Sequence, residues 1–121
     1  MSPKKTLVLG ASDNPSRYSY LAVHRLLAAG HPVEAIGRKE TVVAGIKVIT
    51  GRPPLQDIDT VTLYLNPQHQ RDYYAYILSL HPRRIIFNPG TENDELISLA
   101  TAKGIECPEA CTLVLLSTNQ Y

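Results

Sequence analysis

Three short apolar runs in this chain stop abruptly at residues that do not continue a strand, and each is followed by apolar residues at helical spacing. Thr6-Leu7-Val8-Leu9 ends at Gly10, Thr60-Val61-Thr62-Leu63-Tyr64-Leu65 at Asn66-Pro67, and Arg84-Ile85-Ile86-Phe87 at Asn88-Pro89-Gly90. Runs this short and this apolar read as strands buried on both faces. Downstream of them Val23, Leu26 and Leu27 fall on one helix face, as do Tyr74, Ile77 and Leu78, and then Leu96, Leu99 and Ala100. Strands joined through helices need a parallel sheet with helices on each face, and right-handed crossovers wind it in both directions. The expectation is an α/β fold: a Rossmann-like, doubly wound, mostly parallel sheet of about five strands with helices on both faces.

The punctuation between these units agrees. Gly30 reads as a helix C-cap, and His31-Pro32 forbids continuation before Val33-Glu34-Ala35-Ile36-Gly37 supplies the second strand. Pro67 suits a first helical position, Pro82 ends that helix, and Thr91 or Asn93 can cap the next, which Gly104 closes. Ile105-Glu106-Cys107 is expected as a short last strand, and Thr112 to Leu116 as an apolar strand or helix. The stretch from Arg38 to Ile58 carries the weakest pattern. Val42-Val43 and Ile46-Lys47-Val48-Ile49 flank Ala44-Gly45 as in a small hairpin, and Gly51-Arg52-Pro53-Pro54 is loop. No crossover helix is legible there beyond a turn or a short helix near Leu55-Gln56-Asp57.

At 121 residues the chain reads as one domain, residues 1–121. Its net charge of +1 gives no bulk attraction to nucleic acid or anionic lipid, so any anion site must be local. The apolar run after Lys4-Lys5 is too short for a signal peptide, and no stretch approaches the roughly 20 apolar residues of a membrane span. A cytoplasmic protein is expected. Cys107 and Cys111 lack the paired spacing of a zinc site and read as reduced thiols that pack.

In doubly wound sheets ligands sit beyond the carboxyl ends of the strands, where the strand order reverses. The candidate site is therefore the set of turns Gly10-Ala11-Ser12, Gly37-Arg38-Lys39, Leu65-Asn66-Pro67 and Asn88-Pro89-Gly90. Gly10 permits close approach of the backbone to a phosphate, Ser12 can donate its hydroxyl, and the start of the next helix offers outward amides. Arg17 in the same loop can pair with a phosphate bidentately. The sequence from Gly10 reads G-A-S-D-N-P rather than G-x-G-x-x-G, and Arg38 and Lys39 follow Ile36-Gly37 where NAD enzymes carry an acidic residue. Two cations there favour a ligand with a ribose phosphate, coenzyme A or NADP, over NAD.

The run Val8 to Ser19, with Leu26 and Gly30-His31-Pro32-Val33, resembles the small CoA-binding domain family, related to the amino-terminal domain of the succinyl-CoA synthetase alpha subunit. Asp59-Thr60-Val61, Asn66-Pro67, Ile85 to Asn93 and Glu109-Ala110-Cys111 extend the resemblance over nearly the whole chain. Many family members have Asn-Pro where this chain has Gly37-Arg38, and Gln-x-Gly where it has Asn88-Pro89-Gly90. The resemblance implies a CoA-type ligand held by Gly10, Ala11, Ser12, Asn14, Pro15, Arg17, Tyr18 and Ser19 in the first loop. Its diphosphate would lie near Ser12 and Arg17, and its adenosine end near Ile36, Gly37, Arg38 and Lys39. The pantetheine arm would pass Leu65, Asn66 and Pro67 toward Asn88, Pro89 and Gly90. Cys111 matches a late cysteine of the family; beside the pantetheine thiol it could form a mixed disulfide, and otherwise it is a small packing residue.

No catalytic set accompanies this site. His24, His31, His69 and His81 are scattered, with His69 alone near a candidate turn, and no tyrosine is followed four residues later by lysine. Tyr73, Tyr74 and Tyr76 share a helix and read as an amphipathic surface. The expectation is a non-catalytic module that binds CoA or an acyl-CoA. The alternatives are an NADP-binding oxidoreductase or subunit, and the CoA-binding subunit of a synthetase-like complex. The expected partners are a small nucleotide ligand and either a protein partner or a second copy of the chain, with neither nucleic acid nor membrane.

Overall fold

The computed structural model describes residues 2–121. Six strands form one sheet in the order β3-β4-β2-β1-β5-β6: β1 Thr6–Ala11, β2 Val33–Gly37, β3 Thr41–Val43, β4 Ile46–Ile49, β5 Thr60–Leu63 and β6 Arg84–Phe87. All neighbours pair in parallel except β3, which runs antiparallel to β4 with Val42 opposite Lys47. The sheet thus has one strand more than expected, because both arms of the Val42-to-Ile49 hairpin join it. The order reverses at β1, which has β2 on one side and β5 on the other.

Alternation along the strands sorts the core into two layers. Leu7, Leu9, Val61, Leu63, Ile85 and Phe87 pack with Ile77, Leu96 and Ala100 from α3 (Tyr74–Ser79) and α4 (Asp94–Thr101). Val8, Ala35, Val48 and Ile86 pack with Val23 and Leu26 of α1 (Tyr18–Ala28), and Leu115 and Leu116 of α5 (Thr112–Ser117) lie against them. Leu99 was expected inside but is 42% exposed, because Leu96 and Ala100 set the buried face of α4. The apolar run after Cys111 is helical, which settles the strand-or-helix question there.

Other expectations are corrected. The helix after Asn66 is α2, Pro67–Gln70, then a 3-10 turn at Arg71–Tyr73, then α3; at the break the Asp72 carbonyl accepts from the Arg52 guanidinium. Residues 55–57 hold no helix, so β4 reaches β5 through irregular chain. Ile105-Glu106-Cys107 is not a full strand but runs beside β6 with bridges at Glu106 and Glu109. Pro108 lies between those bridges and gives its carbonyl to the Phe87 N–H, yet has no N–H to return. No helix among the described residues is long and apolar enough to cross a membrane.

Candidate functional site

The carboxyl ends of β1, β2, β5 and β6 open into a cleft of about 1200 Å³. Its floor forms where β1 meets its neighbours. Gly10 does not begin the turn as expected: β1 continues through it to Ala11, and the register with β2 shifts between Leu9 and Ala11. Gly10 has φ +101°, and a Cβ there would lie 2.9 Å from the Tyr64 carbonyl carbon and oxygen. A Cβ on Gly37 would collide with the Ala11 carbonyl oxygen. Both glycines are therefore required by the mutual approach of strand ends, whatever ligand lies above them.

Beyond Ala11 the loop of residues 12–17 is braced by its own side chains. The Asn14 N–H donates to Ser12 Oγ at 3.1 Å, and Asn14 Oδ1 accepts from the Ser16 N–H at 3.0 Å. Ser12 thus keeps its own hydroxyl proton to donate. The Arg17 N–H closes a turn onto the Asn14 carbonyl at 3.0 Å, and Arg17 becomes the N-cap residue of α1. No side chain caps that helix and its first turn holds no acidic residue; the Tyr20 N–H closes onto the Arg17 carbonyl at 3.1 Å, and the Tyr18 and Ser19 amides are left without a partner among the described residues. Arg17 and Tyr18 are exposed beside them, Tyr18 at 72%.

The cations behave unequally. Asp13 accepts a hydrogen bond from the Thr41 hydroxyl at 2.8 Å and lies 3.4 Å from the Lys39 ammonium. The Thr41 bond, helped by Lys39, holds the Asp13 carboxyl below its ordinary range. Lys39 is thereby partly neutralised, whereas Arg17 and Arg38 have no carboxylate within ion-pair distance among the described residues. Arg38 instead meets His69 across the cleft, its Nη2 lying 3.4 Å from His69 Nδ1.

Of the expected residues, Gly10, Ala11, Ser12, Asn14, Arg17, Tyr18, Ser19, Ile36, Gly37, Arg38, Lys39, Leu65, Asn66, Pro89 and Gly90 line this one cleft. Pro15, Pro67, Asn88 and Cys111 lie outside its lining. Pro15 is exposed on the outer side of the loop, and Pro67 serves as the first residue of α2. Asn88 is 3% exposed and fully engaged: its Nδ2 donates to Thr62 Oγ1 and the Leu63 carbonyl, and its Oδ1 accepts from the Thr112 N–H. It fastens β6 to β5 and to the start of α5. Cys111 is half-buried at the N-cap of α5, and burial pushes the Cys107 thiol up. Asn66 lines the cleft, but its Oδ1 caps α2 by accepting from the His69 N–H at 3.0 Å.

Leu9, Asp13, Thr41, Tyr64, Asp72, Tyr73 and Thr91 also line the cleft and were not among the expected site residues, and His69, the one histidine near a candidate turn, lines it too. Asp13 and Tyr64 are neighbours of expected positions and were legible by adjacency. Asp72 and Tyr73 arrive through the 3-10 break, for which the sequence carries no signal. Two loops of the cleft are tied by Gln70, fully buried, whose Nε2 donates to the Leu65 and Thr91 carbonyls at 2.8 Å each. The Tyr74 ring, half-buried on the helix expected to be an amphipathic surface, shares this network through Asn93.

The Tyr64 hydroxyl is buried, and burial pushes its pKa up to about 12, so it keeps its proton at neutral pH and cannot act as a base there. Among the described residues no three His, Cys, Asp or Glu side chains gather as metal ligands. Polar contacts line the cleft, apolar strand ends floor it, and Arg17, Arg38 and Asp72 are its charged side chains without an ion pair among the described residues.

Comparison with known proteins bears on the same region. Residues 4–117 match the family model described as CoA binding domain. A crystal structure of an uncharacterized protein is 50% identical over 100% of both chains, with a TM-score of 0.97. A hypothetical protein from Pyrococcus horikoshii OT3 is 24% identical over 96% of this chain and 83% of its own, with a TM-score of 0.86. Cell-free ID.343 from Thermus thermophilus is 20% identical over 98% and 91%, also with a TM-score of 0.86. These last two likenesses concern the fold alone. Among curated proteins no relative matches.

Proposed function

The chain belongs to the CoA-binding domain family, and from that premise we propose that it is a binding module holding coenzyme A or an acyl-CoA in this cleft. The observation that carries the reading is the beginning of α1. A helix without a capping side chain or an acidic first turn, with its Tyr18 and Ser19 amides unpaired and Arg17 at its N-cap beside the cleft, suits an anion there. The diphosphate of CoA lies at those amides, with Ser12 donating its hydroxyl and Arg17 pairing from the rim. The adenosine end reaches Ile36, Gly37 and Arg38, and the pantetheine arm runs past Leu65 and Asn66 toward Pro89 and Gly90. The module needs no catalytic group for this task, and an acyl chain beyond the thiol changes nothing at the nucleotide end.

Arg38 would serve the ribose phosphate of NADP as well as that of CoA, so the test must contain both. The melting temperature is measured with CoA, NADP and NAD at matched concentrations, followed by calorimetric titration. CoA stabilises the protein by mass action, NADP less, and NAD least. Stabilisation by NADP with none by CoA overturns the reading.

A further inference from the structure

Arg38 and His69 come from opposite sides of the cleft, Arg38 from the loop after β2 and His69 from α2 after β5, and they meet above the end of β1 between them. A guanidinium can only donate, so the His69 Nδ1 that it faces is the acceptor, and the ring proton of the neutral imidazole belongs on Nε2. The contact is long at 3.4 Å, and both side chains are exposed with no carboxylate paired to Arg38 among the described residues. The His69 main chain is fixed independently, because its N–H is held by the Asn66 cap. The arrangement therefore brings two exposed side chains from separate elements together across the cleft; an anion entering between them replaces the long contact and takes N–H bonds from Arg38 and from His69 Nδ1 once the exchangeable ring proton moves to that nitrogen.

We propose that Arg38 and His69 form a two-sided phosphate clamp across the cleft, and that its ligand group is the ribose phosphomonoester. This rests on the reading of the cleft as a CoA site and adds a residue and a division of labour to it. Lys39, adjacent to Arg38 in sequence, is turned toward Asp13 and contributes little, whereas His69, distant in sequence, supplies the second donor. A dianionic monoester takes parallel N–H bonds from a guanidinium and a third from the imidazole, which a ligand lacking that phosphate cannot use.

The experiment titrates CoA and dephospho-CoA, in parallel with NADP and NAD, into the wild type, His69→Ala, His69→Gln and Arg38→Gln. Wild type prefers the member of each pair that carries the ribose phosphate by about tenfold or more. His69→Ala removes most of that preference, leaves dephospho-CoA binding as it was and does not move the melting temperature. His69→Gln, which restores an N–H donor, recovers part of it. Equal losses for CoA and dephospho-CoA in His69→Ala assign the clamp to the diphosphate instead and overturn the monoester assignment. An unchanged preference in His69→Ala overturns the clamp while the CoA site stands. Failure of the wild type to bind CoA or dephospho-CoA overturns the CoA reading itself, and the NADP and NAD pair then decides the clamp alone.

Discussion

Helix α4 begins under Asn93, whose Oδ1 accepts from the Glu95 and Leu96 N–H groups at 3.1 and 3.3 Å, and its first turn carries Asp94 and Glu95. Helix α1 begins at Arg17, with no side chain on its leading amides and no acid in its first turn. Helix α1 crosses over from β1 to its parallel neighbour β2, α4 follows the last strand β6, and both bury one apolar face. The first satisfies its own N-terminal donors and matches its dipole with negative charge. The second does neither and places a cation where the dipole disfavours one. A helix can be left incomplete in this way when its stability comes from tertiary packing, and Ala22, Val23 and Leu26 of α1 are fully buried. What α1 lacks in local stabilisation is the feature that suits it to an anionic ligand.

The sharpest way to break this contrast is at the strand end that delivers the chain into α1. Gly10→Val would force a branched side chain into the Tyr64 backbone at φ +101°. It should cost about 3 kcal/mol or more in urea unfolding and abolish ligand binding. Next in size, Arg17→Asp converts the start of α1 into one like that of α4. The ligand-free protein should gain about 1 kcal/mol of stability while CoA affinity falls by about tenfold or more. Retained affinity in that variant would remove the anion from α1. The reciprocal change, Asn93→Ala, should cost about 1 kcal/mol in stability and weaken CoA far less than Arg17→Asp does.

The smallest expected effect lies at the opposite end of the sheet, where positive charge is buried rather than presented. His31 is 2% exposed, accepts the Lys4 main-chain N–H at Nδ1 and lies tilted against the Tyr121 ring. Burial lowers its pKa below the ordinary 6.5, and Lys4 and Arg84 nearby lower it further. The unfolded chain therefore takes up that proton more readily than the folded one. Stability is intact above the ordinary value and falls as the pH drops below it. Melting temperatures between pH 7.5 and 5 should decline in the wild type, and His31→Gln should flatten that decline. A wild-type profile already flat across this window would show that His31 takes up its proton as readily in the fold as in the unfolded chain.

Much of the fold was legible because burial imposes a pattern. β5 and β6 are buried on both faces and read as apolar runs; Asn88 marks the end of β6 in sequence as in space, whereas β5 stops at Leu63, before the expected end at Asn66. The missing crossover helix before Thr60 was also legible, as an absence of periodicity. Less visible were features set by partners far along the chain. Pro108 prevents a full strand at Ile105-Glu106-Cys107, and Arg52 takes the Asp72 carbonyl where one continuous helix was expected. Leu99 occupies a helical position compatible with burial, and only the rotation of α4 against the sheet turns it outward.

The candidate site divides along the same line. By itself the sequence determined which turns gather at the carboxyl ends of the strands, because the alternation of elements and the handedness of their crossovers leave little choice. It also determined that the first turn lacks the usual glycines and that the turn after the second strand carries the cations Arg38 and Lys39. Which side chains remain available to a ligand was decided by tertiary structure alone. Asn88 is consumed in fastening β6, Lys39 is drawn to Asp13, and Arg38 finds His69 across the cleft. Hydrogen-bond partners and charge pairs depend on distances between segments brought together by the sheet, and no local pattern encodes those distances. Gly10, the most conspicuous residue of the first turn, shows both halves. Its place at a strand end was readable, but its necessity comes from the backbone of Tyr64 on the neighbouring strand.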